Sequence, residues 1–316
     1  MRRDPDMELI EVADSIRSME IRGAGLIARS AAEAMRHTAQ EFKGEDIAAF
    51  RQVLEGGKKT LVASRPTAIS LWNAVQATLR GTQDAGSVEE LRSLVVANAD
   101  RFVKRSSRAV ETIGEFGAKR LKDGMKVMTH CNSKAALSVL KTAHANGMDI
   151  EVYATESRPW RQGLLTVKDL SAAGVPCTLI IDSAVRWAMK DMDAVFVGAD
   201  TICSNGAVIN KIGTSQVAMA AHDSRVPFMV CAETYKFSPR TLSGEMVEIE
   251  ERDASEVVDP SLLPAGVRVR NPVFDATPPE YIDSLITEAG VIPPYAAYEV
   301  IVREFGQGSI FEGTED

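Results

Sequence analysis

One cysteine of this sequence lies where a reactive thiolate could form. A short apolar run, Lys126–Thr129, ends in His130-Cys131-Asn132, and Ser133 then opens an alanine- and leucine-rich helical pattern. A helix N-terminus presents unpaired backbone N–H groups and a partial positive charge, and both stabilise the thiolate form of cysteine. The alternative is a structural thiol, because free cysteines are among the most buried residues of proteins.

A carboxylate follows a second apolar run in the same way. The run Ala194–Val197 leads into Gly198-Ala-Asp200, which places Asp200 just beyond a predicted strand. An aspartate at a strand terminus can exchange protons with a substrate, or it can simply cap the following helix. Asp200 is therefore a candidate for acid–base chemistry.

Several glycine- and arginine-containing segments could bind an anion. Arg22–Gly25 opens a helix whose backbone N–H groups could contact a phosphate, although a simple interhelical turn also explains the two glycines. A dinucleotide fingerprint is rejected here, because a helix rather than a strand precedes the segment. Arg65 precedes Pro66 at the start of another helix, and Arg158 follows a predicted strand. Arg65 could bind phosphate or could be a surface arginine. Arg158 could bind phosphate or could belong to a salt-bridged loop.

Further polar residues follow a turn signal and a strand. Asn205-Gly206 predicts a turn, after which Asn210 and Lys211 lead into another helix. Lys236 lies beyond the apolar run Phe228–Cys231 and could also bind phosphate. No Walker motif, Ser/His/Asp order or metal-ligand cluster competes with these segments, and His130 reads as an isolated histidine.

The elements that position these residues fall into two regions. Up to about residue 122 the sequence reads as helix, since apolar residues recur at three- and four-residue spacing. These helical segments are Leu9–Ile21, Ala24–Ala39, Asp46–Leu54, Ala68–Leu79 and Leu91–Leu121. At Asp123-Gly124 the pattern changes, and short apolar strands begin to alternate with helices. The predicted strands are Lys126–Thr129, Asp149–Ala154, Cys177–Ile181, Ala194–Val197 and Phe228–Cys231.

Helices are predicted between and after these strands, at Lys134–Asn146, Thr166–Ala173, Ala184–Asp191, Thr214–His222, Tyr281–Ala289 and Tyr295–Phe305. Such alternation predicts a parallel sheet with helices on both faces. The fold class is therefore α/β, with an all-helical N-terminal domain (residues 1–122) before a Rossmann-like parallel-sheet domain (residues 123–316). Because such sheets bind ligands at the carboxyl ends of their strands, we expect the thiol, the carboxylate and several cations at one sheet edge.

Composition narrows the functional classes. The 316 residues are 45% hydrophobic and 25% charged, as in ordinary soluble globular proteins, and no run approaches the roughly 18 apolar residues of a membrane span. The net charge of −8 and the pI of about 5.3 argue against non-specific binding of nucleic acid or of an acidic membrane. Four widely spaced cysteines without a C-x-x-C pair, and no apolar leader in residues 1–8, indicate a reducing cytoplasm.

Taken as a set, these motifs resemble the superfamily that joins sugar-1-phosphate aldose–ketose isomerases to regulatory subunits of the initiation-factor nucleotide exchanger. The resemblance covers nearly the whole chain. The segments that carry it are Arg22–Gly25, Ser64–Thr67, Thr129–Ser133, Glu156–Pro159, Gly198–Asp200, Asn205-Gly206, Asn210–Thr214 and Asn271–Pro279.

Within this superfamily the chain most resembles archaeal ribose-1,5-bisphosphate isomerases. Their His-Cys-Asn-Ser, Glu-Ser-Arg-Pro and Asp-Ser-Ala patterns match His130–Ser133, Glu156–Pro159 and Asp182–Ala184. Methylthioribose-1-phosphate isomerases are the first alternative, but they typically carry a glycine after Cys-Asn and an Asp-Arg pair where this chain has Asp200-Thr201. A non-catalytic regulatory subunit is the second alternative, and such subunits generally lack the Cys–Asp pair.

The resemblance implies conversion of ribose 1,5-bisphosphate to ribulose 1,5-bisphosphate in AMP and nucleoside degradation, without a metal or redox cofactor. It implies that Asp200, in a dry site, protonates the ring oxygen, and that Cys131, with a pKa lowered by a helix terminus or a cation, removes the C2 proton. The implied substrate-binding residues are Arg22, Gly23, Ala24, Gly25, Arg65, Ser133, Arg158, Asn210, Lys211 and Lys236. The expected assembly is a dimer-based, hexameric homo-oligomer, with AMP as a candidate activator.

Overall fold

The structure is a computed structural model that describes residues 9–305. It divides into two compact units, the first ending at Arg108 and the second beginning at Ala109. This division falls within a long helix, whereas the sequence pattern changes at Asp123-Gly124, so the domain boundary at residue 122 stays a prediction. The expected lack of an apolar leader concerns residues 1–8, which lie outside the described residues.

The first unit is built from helices. They are α1 (Leu9–Arg17), α2 (Ala24–Glu41), α3 (Ile47–Ser64), α4 (Ile69–Leu79) and the first part of α5 (Val88–Ala118), with a short 3₁₀ turn at Thr82–Asp84. Each helix turns an apolar stripe inward. The buried side chains form one core that includes Ile16, Ile27, Met35, Phe50, Leu61 and Leu71. The predicted helical character of this region is confirmed for the described residues.

The second unit is an α/β domain. Its strands are β1 (Lys126–Thr129), β2 (Glu151–Thr155), β3 (Cys177–Ile180), β4 (Ala194–Val197), β5 (Thr201–Ile202), β6 (Val208–Lys211), β7 (Phe228–Cys231), β8 (Phe274–Thr277), β9 (Ser284–Thr287) and β10 (Gly290–Ile292). Its helices after α5 are α6 (Lys134–Ala145), α7 (Gln162–Ala172), α8 (Val185–Met189), α9 (Thr214–Ser224) and α10 (Ala297–Phe305). Seven strands form one sheet in the order β10-β9-β7-β4-β1-β2-β3, with parallel pairing except at β10. The predicted α/β fold class is confirmed.

Continuous apolar runs form the centre of this sheet because helices cover both of its faces. In β4, Ala194 and Phe196 face one buried core, while Val195 and Val197 face the other. A strand that is buried on both faces reads as an unbroken apolar run. The five predicted strands are all present, with ends that shift by at most two residues, and β1, β4 and β7 are the ones that are almost fully buried.

The strand order reverses between β1 and β4, which are neighbours in the sheet although β2 and β3 separate them in sequence. β2 and β3 continue from β1 on one side, and β7 and β9 continue from β4 on the other. Such a switch point opens a crevice beyond the carboxyl ends of the two strands. Cys131 follows β1 at this point, and Asp200 follows β4.

A small antiparallel sheet, in the order β5-β6-β8, begins just after β4. The sequence does not predict these strands, because polar residues such as Asn210, Lys211 and Asp275 interrupt their apolar pattern. Their polar side chains nevertheless matter most for the site described below. None of the described helices is long and apolar enough to cross a membrane.

The helix predicted over Tyr281–Ala289 is wrong. A 3₁₀ turn at Pro279–Tyr281 and strand β9 occupy most of this segment. Adjacent apolar residues such as Leu285 and Ile286 fit a helical pattern in the sequence. In the structure they pair in parallel with β7 and lie in the two cores on opposite faces of the sheet. Tertiary packing therefore overrides the local preference. The last predicted helix is present as α10, preceded by a 3₁₀ turn at Pro294–Ala296.

Candidate active site

Cys131 occupies a strained turn directly beyond β1. Its φ of 67° lies in the left-handed region, which is uncommon for residues other than glycine. The turn is held at both ends, since the Cys131 N–H donates to Ser157 Oγ at 2.8 Å and Thr166 Oγ1 donates to the Cys131 carbonyl at 2.6 Å. The residue remains partly exposed. Strained residues that the surrounding structure fixes in this way cluster at functional sites.

The thiol of Cys131 is not activated in the way that the sequence predicts. Burial raises its pKa to about 11; Lys211 opposes this shift, and the charges of Asp200 and Asp182 add to it. Ser133 is the N-cap residue of α6, and the backbone N–H of Asn132 lowers the pKa of Cys131 without offsetting the effect of burial. The expected lowering of the pKa is therefore wrong for this structure, and Lys211 is the cation that counters burial.

Lys211, at the end of β6, is a buried cation close to both candidate catalytic groups. Only 8% of the residue is exposed, and its ammonium lies 5.2 Å from the centroid of the Phe274 ring. Burial lowers the pKa of Lys211, while the negative charges of Cys131 and Asp200 act in the opposite direction. A cation in this position stabilises a thiolate at Cys131.

Asp200 begins the link from β4 to the small sheet. Its N–H donates to the Ile209 carbonyl at 2.9 Å, and its side chain is half-buried. The carboxylate is close enough to Cys131, Lys211 and Lys236 to influence the pKa of each. Because β5 follows at the next residue, Asp200 does not cap a helix, and its acid–base role stays a prediction.

Lys236 is also buried beside Asp200, but it already has a partner. Its Nζ lies 2.8 Å from Glu233 Oε2, and Tyr235 donates its hydroxyl hydrogen to Glu233 Oε1 at 2.9 Å. Burial alone would lower the pKa of Lys236, yet Glu233 outweighs that effect and the pKa is raised, with Asp200 and Glu288 contributing. The lysine therefore stays charged although it is buried.

The N-terminus of α6 packs against the loop that carries Asp200. Ser133 Oγ caps this helix by accepting the Ala136 N–H at 3.3 Å. A Cβ atom on Gly198 would lie 2.3 Å from Ser133 Oγ and 2.5 Å from Ser133 Cβ. Glycine at position 198 thus permits the close approach of the β1 and β4 loops.

A cleft of about 500 Å³ opens within the second unit. Its lining residues are Arg158, Asp182, Ile212, Gly213, Ser215, Gln216, Met219 and Asp275. Arg158 already makes two hydrogen bonds. Its Nη2 donates to the Val257 carbonyl at 2.6 Å, and its backbone N–H donates to Asp182 Oδ2 at 2.8 Å. Arg158 thus borders the cleft while it also fixes the segment around Val257.

Comparison with known proteins decides the family. Residues 20–294 match the model of the Initiation factor 2 subunit family. The chain belongs to that family. A ribose 1,5-bisphosphate isomerase of Archaeoglobus fulgidus is 55% identical over 305 residues, which are 96% of each chain. One of Methanocaldococcus jannaschii is 48% identical over 95% of this chain and 97% of its own. A methylthioribose-1-phosphate isomerase of Geobacter metallireducens is 39% identical over 89% of this chain and 86% of its own.

Solved structures of Initiation factor 2 subunit family relatives show the same fold. The translation initiation factor eIF-2B of Pyrococcus horikoshii OT3 superposes with a TM-score of 0.77 at 31% identity, over 90% of this chain and 97% of its own. The 5-methylthioribose 1-phosphate isomerase of the same organism superposes with a TM-score of 0.75 at 29% identity, over 94% and 87%. Because the fold serves both kinds of protein, function has to be argued from the site.

The first unit of this family member carries the remaining predicted phosphate contacts. Gly23, with a φ of 87°, is the N-cap residue of α2, and that helix terminus has no side-chain cap. Arg65 ends α3, and its Nη1 lies 3.3 Å from Met19 Sδ, three residues before Arg22. The first unit thus brings Arg65 towards the segment Arg22–Gly25. Uncapped N–H groups beside two arginines suit a phosphate.

Asn210 and one unpredicted carboxylate meet at the start of α9. Asn210 Nδ2 donates to Thr214 Oγ1 at 3.0 Å, and Asn210 lies opposite Asp275 in the β6–β8 pair. Asp275 accepts the N–H groups of Gly213 at 2.8 Å and Ser215 at 3.2 Å, and burial raises its pKa to about 6. The only sequence signal for Asp275 is its place within a family segment, Asn271–Pro279.

Proposed function

We propose that this protein is a ribose 1,5-bisphosphate isomerase, an aldose–ketose isomerase that forms ribulose 1,5-bisphosphate. The observation that carries the proposal is that Cys131 and Asp200 follow the adjacent strands β1 and β4 at the switch point, where the charges of both act on Lys211. The identities of 55% and 48% to proteins with that activity, over nearly full length, support the same substrate.

The proposed reaction begins with opening of the sugar ring. Asp200 gives its proton to the ring oxygen as the bond from that oxygen to C1 breaks. Cys131 thiolate then takes the C2 proton, which leaves an enol phosphate with a C1–C2 double bond. The proton on Cys131 returns to C1, and the O2 hydroxyl gives its proton to Asp200. The product is the 2-ketone, and both side chains regain their starting states.

The high pKa of Cys131 fits a base that removes a proton from carbon. A thiolate of high pKa is a strong base, but only a small fraction of the thiol is ionised at neutral pH. Lys211 lowers the pKa and so raises that fraction. We therefore assign Lys211 a second task beside phosphate binding, which is to stabilise the thiolate at the moment of proton abstraction.

Two phosphates explain why cations gather at several places in an acidic protein. We assign one phosphate to the segment Arg22–Gly25 together with Arg65. We assign contacts to the rest of the substrate to Ser133, Arg158, Asn210, Lys211 and Lys236, with Asn210 on sugar hydroxyls. Binding energy from phosphates that do not react helps to orient the reacting carbons.

The test is direct assay of the purified protein by phosphorus NMR. It is incubated separately with ribose 1,5-bisphosphate and with methylthioribose 1-phosphate, and we expect turnover of the first. Turnover of methylthioribose 1-phosphate alone would make this chain functionally similar to its 39% identical relative instead. Turnover of neither would favour a regulatory subunit.

Two cysteine variants test the assignment of the base. Cys131→Ser should lower kcat at least about 1,000-fold while substrate binding persists, because a serine hydroxyl is a far weaker acid. Cys177→Ser is the matched control, since Cys177 is a partly exposed cysteine on the edge strand β3. An active Cys131→Ser protein would remove Cys131 from the mechanism.

We further propose that the protein works in AMP and nucleoside degradation in the cytoplasm as a dimer-based hexamer. This part rests on the family resemblance. Sedimentation at several protein concentrations, with and without AMP, tests the assembly, and isomerase rates with added AMP test activation. A monomer at all concentrations, or rates that do not respond to AMP, would contradict the corresponding statement.

A further inference from the structure

The side chains behind Cys131 form a continuous buried hydrogen-bond network. Its members are His130, Thr155 and Ser157, which we name the His130 network. His130 Nδ1 lies 2.6 Å from Thr155 Oγ1, and Thr155 Oγ1 lies 3.2 Å from Ser157 Oγ. Each of the three residues is at most 2% exposed. The network therefore exchanges little with solvent, and its hydrogen bonds are costly to break.

The Ile212 carbonyl fixes the direction of the hydrogen bonds at the histidine. The Ile212 carbonyl, 2.9 Å from His130 Nε2, can only accept, so Nε2 carries the hydrogen. In a neutral imidazole Nδ1 then accepts from the Thr155 hydroxyl. At the other end Ser157 Oγ accepts the Cys131 N–H, and its own hydrogen has acceptors in Thr155 Oγ1 at 3.2 Å and the Thr155 carbonyl at 3.4 Å. Burial lowers the pKa of His130, which is consistent with the neutral ring.

Further contacts within the second unit hold the His130 network in place. Ser157 has a left-handed φ of 58°, and its N–H donates to Asp182 Oδ1 at 2.8 Å. The His130 ring lies against Gly213, where an added Cβ would meet its Cε1 at 2.9 Å. Ile212, whose carbonyl receives the His130 N–H, directly follows Lys211. The two ends of the network thus hold the Cys131 turn and the turn after Lys211.

We propose that His130, Thr155 and Ser157 are positioning residues that set the Cys131 thiol against Lys211. Ser157 fixes the backbone of the base, and His130 fixes the backbone next to the cation. The proposal rests on the function given above, because it presumes that Cys131 abstracts the proton. The charged groups that face the thiol are Lys211, Asp200 and Asp182, so a small displacement of the thiol changes its ionisation.

Position 155 offers a test with matched variants. Thr155→Val keeps the shape and removes the hydroxyl, while Thr155→Ser keeps the hydroxyl. We expect kcat to fall about 10- to 100-fold in the valine variant with KM within about 3-fold, and the serine variant to retain most of the rate. Thr78→Val is the control, because Thr78 is a buried threonine whose hydroxyl donates to the Ala74 carbonyl of its own helix.

A second readout does not depend on isomerase activity. Iodoacetamide alkylation of Cys131, followed peptide by peptide from neutral pH to about pH 11.5, reports the ionisation of this thiol. Thr155→Val should move the profile to higher pH by about half a unit, because the thiol loses part of the influence of Lys211. Thr155→Ser should follow the wild-type profile. His130→Asn, which keeps an acceptor near Nδ1 but loses the donor to Ile212, should behave like Thr155→Val.

The outcomes separate the two proposals. An unchanged alkylation profile and an unchanged kcat in Thr155→Val would overturn the positioning role. So would a serine variant as slow as the valine variant, since the hydroxyl would then be irrelevant. If Cys131→Ser were active while Thr155→Val still shifted the alkylation profile, the network would position Cys131 but the proposed mechanism would be wrong.

Discussion

The ammonium of Lys236 and the carboxylate of Glu233 form an ion pair at 2.8 Å that is almost completely buried, with side chains 9% and 5% exposed. Removing one member of a buried pair leaves an uncompensated charge, which costs more than the pair contributes. We predict that Glu233→Gln lowers the free energy of unfolding by roughly 3–5 kcal/mol. Denaturant unfolding followed by circular dichroism measures the change.

The same pair supplies its own control. Glu233→Gln combined with Lys236→Met should recover part of the lost stability, because the buried ammonium that had lost its ion-pair partner is gone. Arg36 and Asp100 form a pair with the same 2.8 Å separation but side chains 31% and 55% exposed, so Asp100→Asn should cost no more than about 1 kcal/mol. Equal effects of Glu233→Gln and Asp100→Asn would show that burial of the first pair is unimportant.

The ionisation of Cys131 provides a prediction with two opposite signs. The pKa of this thiol is about 11. Within that value Lys211 acts to lower the pKa and Asp200 acts to raise it. Lys211→Gln should therefore move the pKa up, and Asp200→Asn should move it down, each by about one unit or less. The pH dependence of alkylation at the Cys131 peptide measures both shifts, with the Cys177 peptide of the same molecule as the internal reference. Shifts of the same sign in both variants would refute the electrostatic account.

Five of the seven strands of the main sheet, β1 to β4 and β7, could be predicted because each is a short apolar run, whereas β9 falls in a segment predicted as a helix and β10 has no strand prediction. Four consecutive buried residues such as Ala194–Val197, followed by Gly198, leave few alternatives to a short strand. The strands of the small sheet are different, since Asn210 and Lys211 are polar yet 6% and 8% exposed. Polar residues that are buried because they belong to the candidate site interrupt the apolar pattern on which strand prediction depends.

The candidate site could be predicted only in part for a related reason. Cys131 and Asp200 can be identified because each follows an apolar strand, and strand ends of a parallel sheet meet at one edge. The roles of His130 and Asp275 cannot, because their partners Ile212 and Gly213 lie far away in the sequence. Nor does the sequence report desolvation, so it predicts the wrong direction for the pKa of Cys131.

Close packing at Gly198 predicts a loss of activity from the smallest possible side chain. In Gly198→Ala the added Cβ would meet Ser133 Oγ at 2.3 Å and Ser133 Cβ at 2.5 Å, so the loop before Asp200 or the start of α6 has to move. A displacement of about 1 Å can cost about 100-fold in rate. We expect kcat in the isomerase assay to fall by at least about 10-fold, with overpacking costing about 1–3 kcal/mol of stability.

The matched substitution for Gly198→Ala is Gly56→Ala. Gly56 is an exposed residue inside α3, and an added Cβ there meets nothing within 4 Å. Alanine should stabilise this helix by about 0.5–1 kcal/mol and leave kcat unchanged. If Gly198→Ala were as active as Gly56→Ala, the contact between Ser133 and Gly198 would not matter for catalysis.

Asp275 predicts a particular dependence of stability on pH. Burial raises its pKa from an ordinary value of 3.8 to about 6, so the folded protein binds more protons than the unfolded chain between these values. The favourable contribution of Asp275 is therefore complete below about pH 4 and is lost as the pH rises through about 6. Relative to Asp275→Asn, the wild type should lose at most about 3 kcal/mol between pH 4 and pH 7. Thermal unfolding midpoints of the two proteins across this range measure the difference.

Asp253→Asn is the control of opposite sign, because a hydrogen bond from Ser255 lowers the pKa of Asp253, whose contribution is lost as the pH falls. A difference between wild type and Asp275→Asn that does not change with pH would mean that Asp275 is not desolvated in the folded protein.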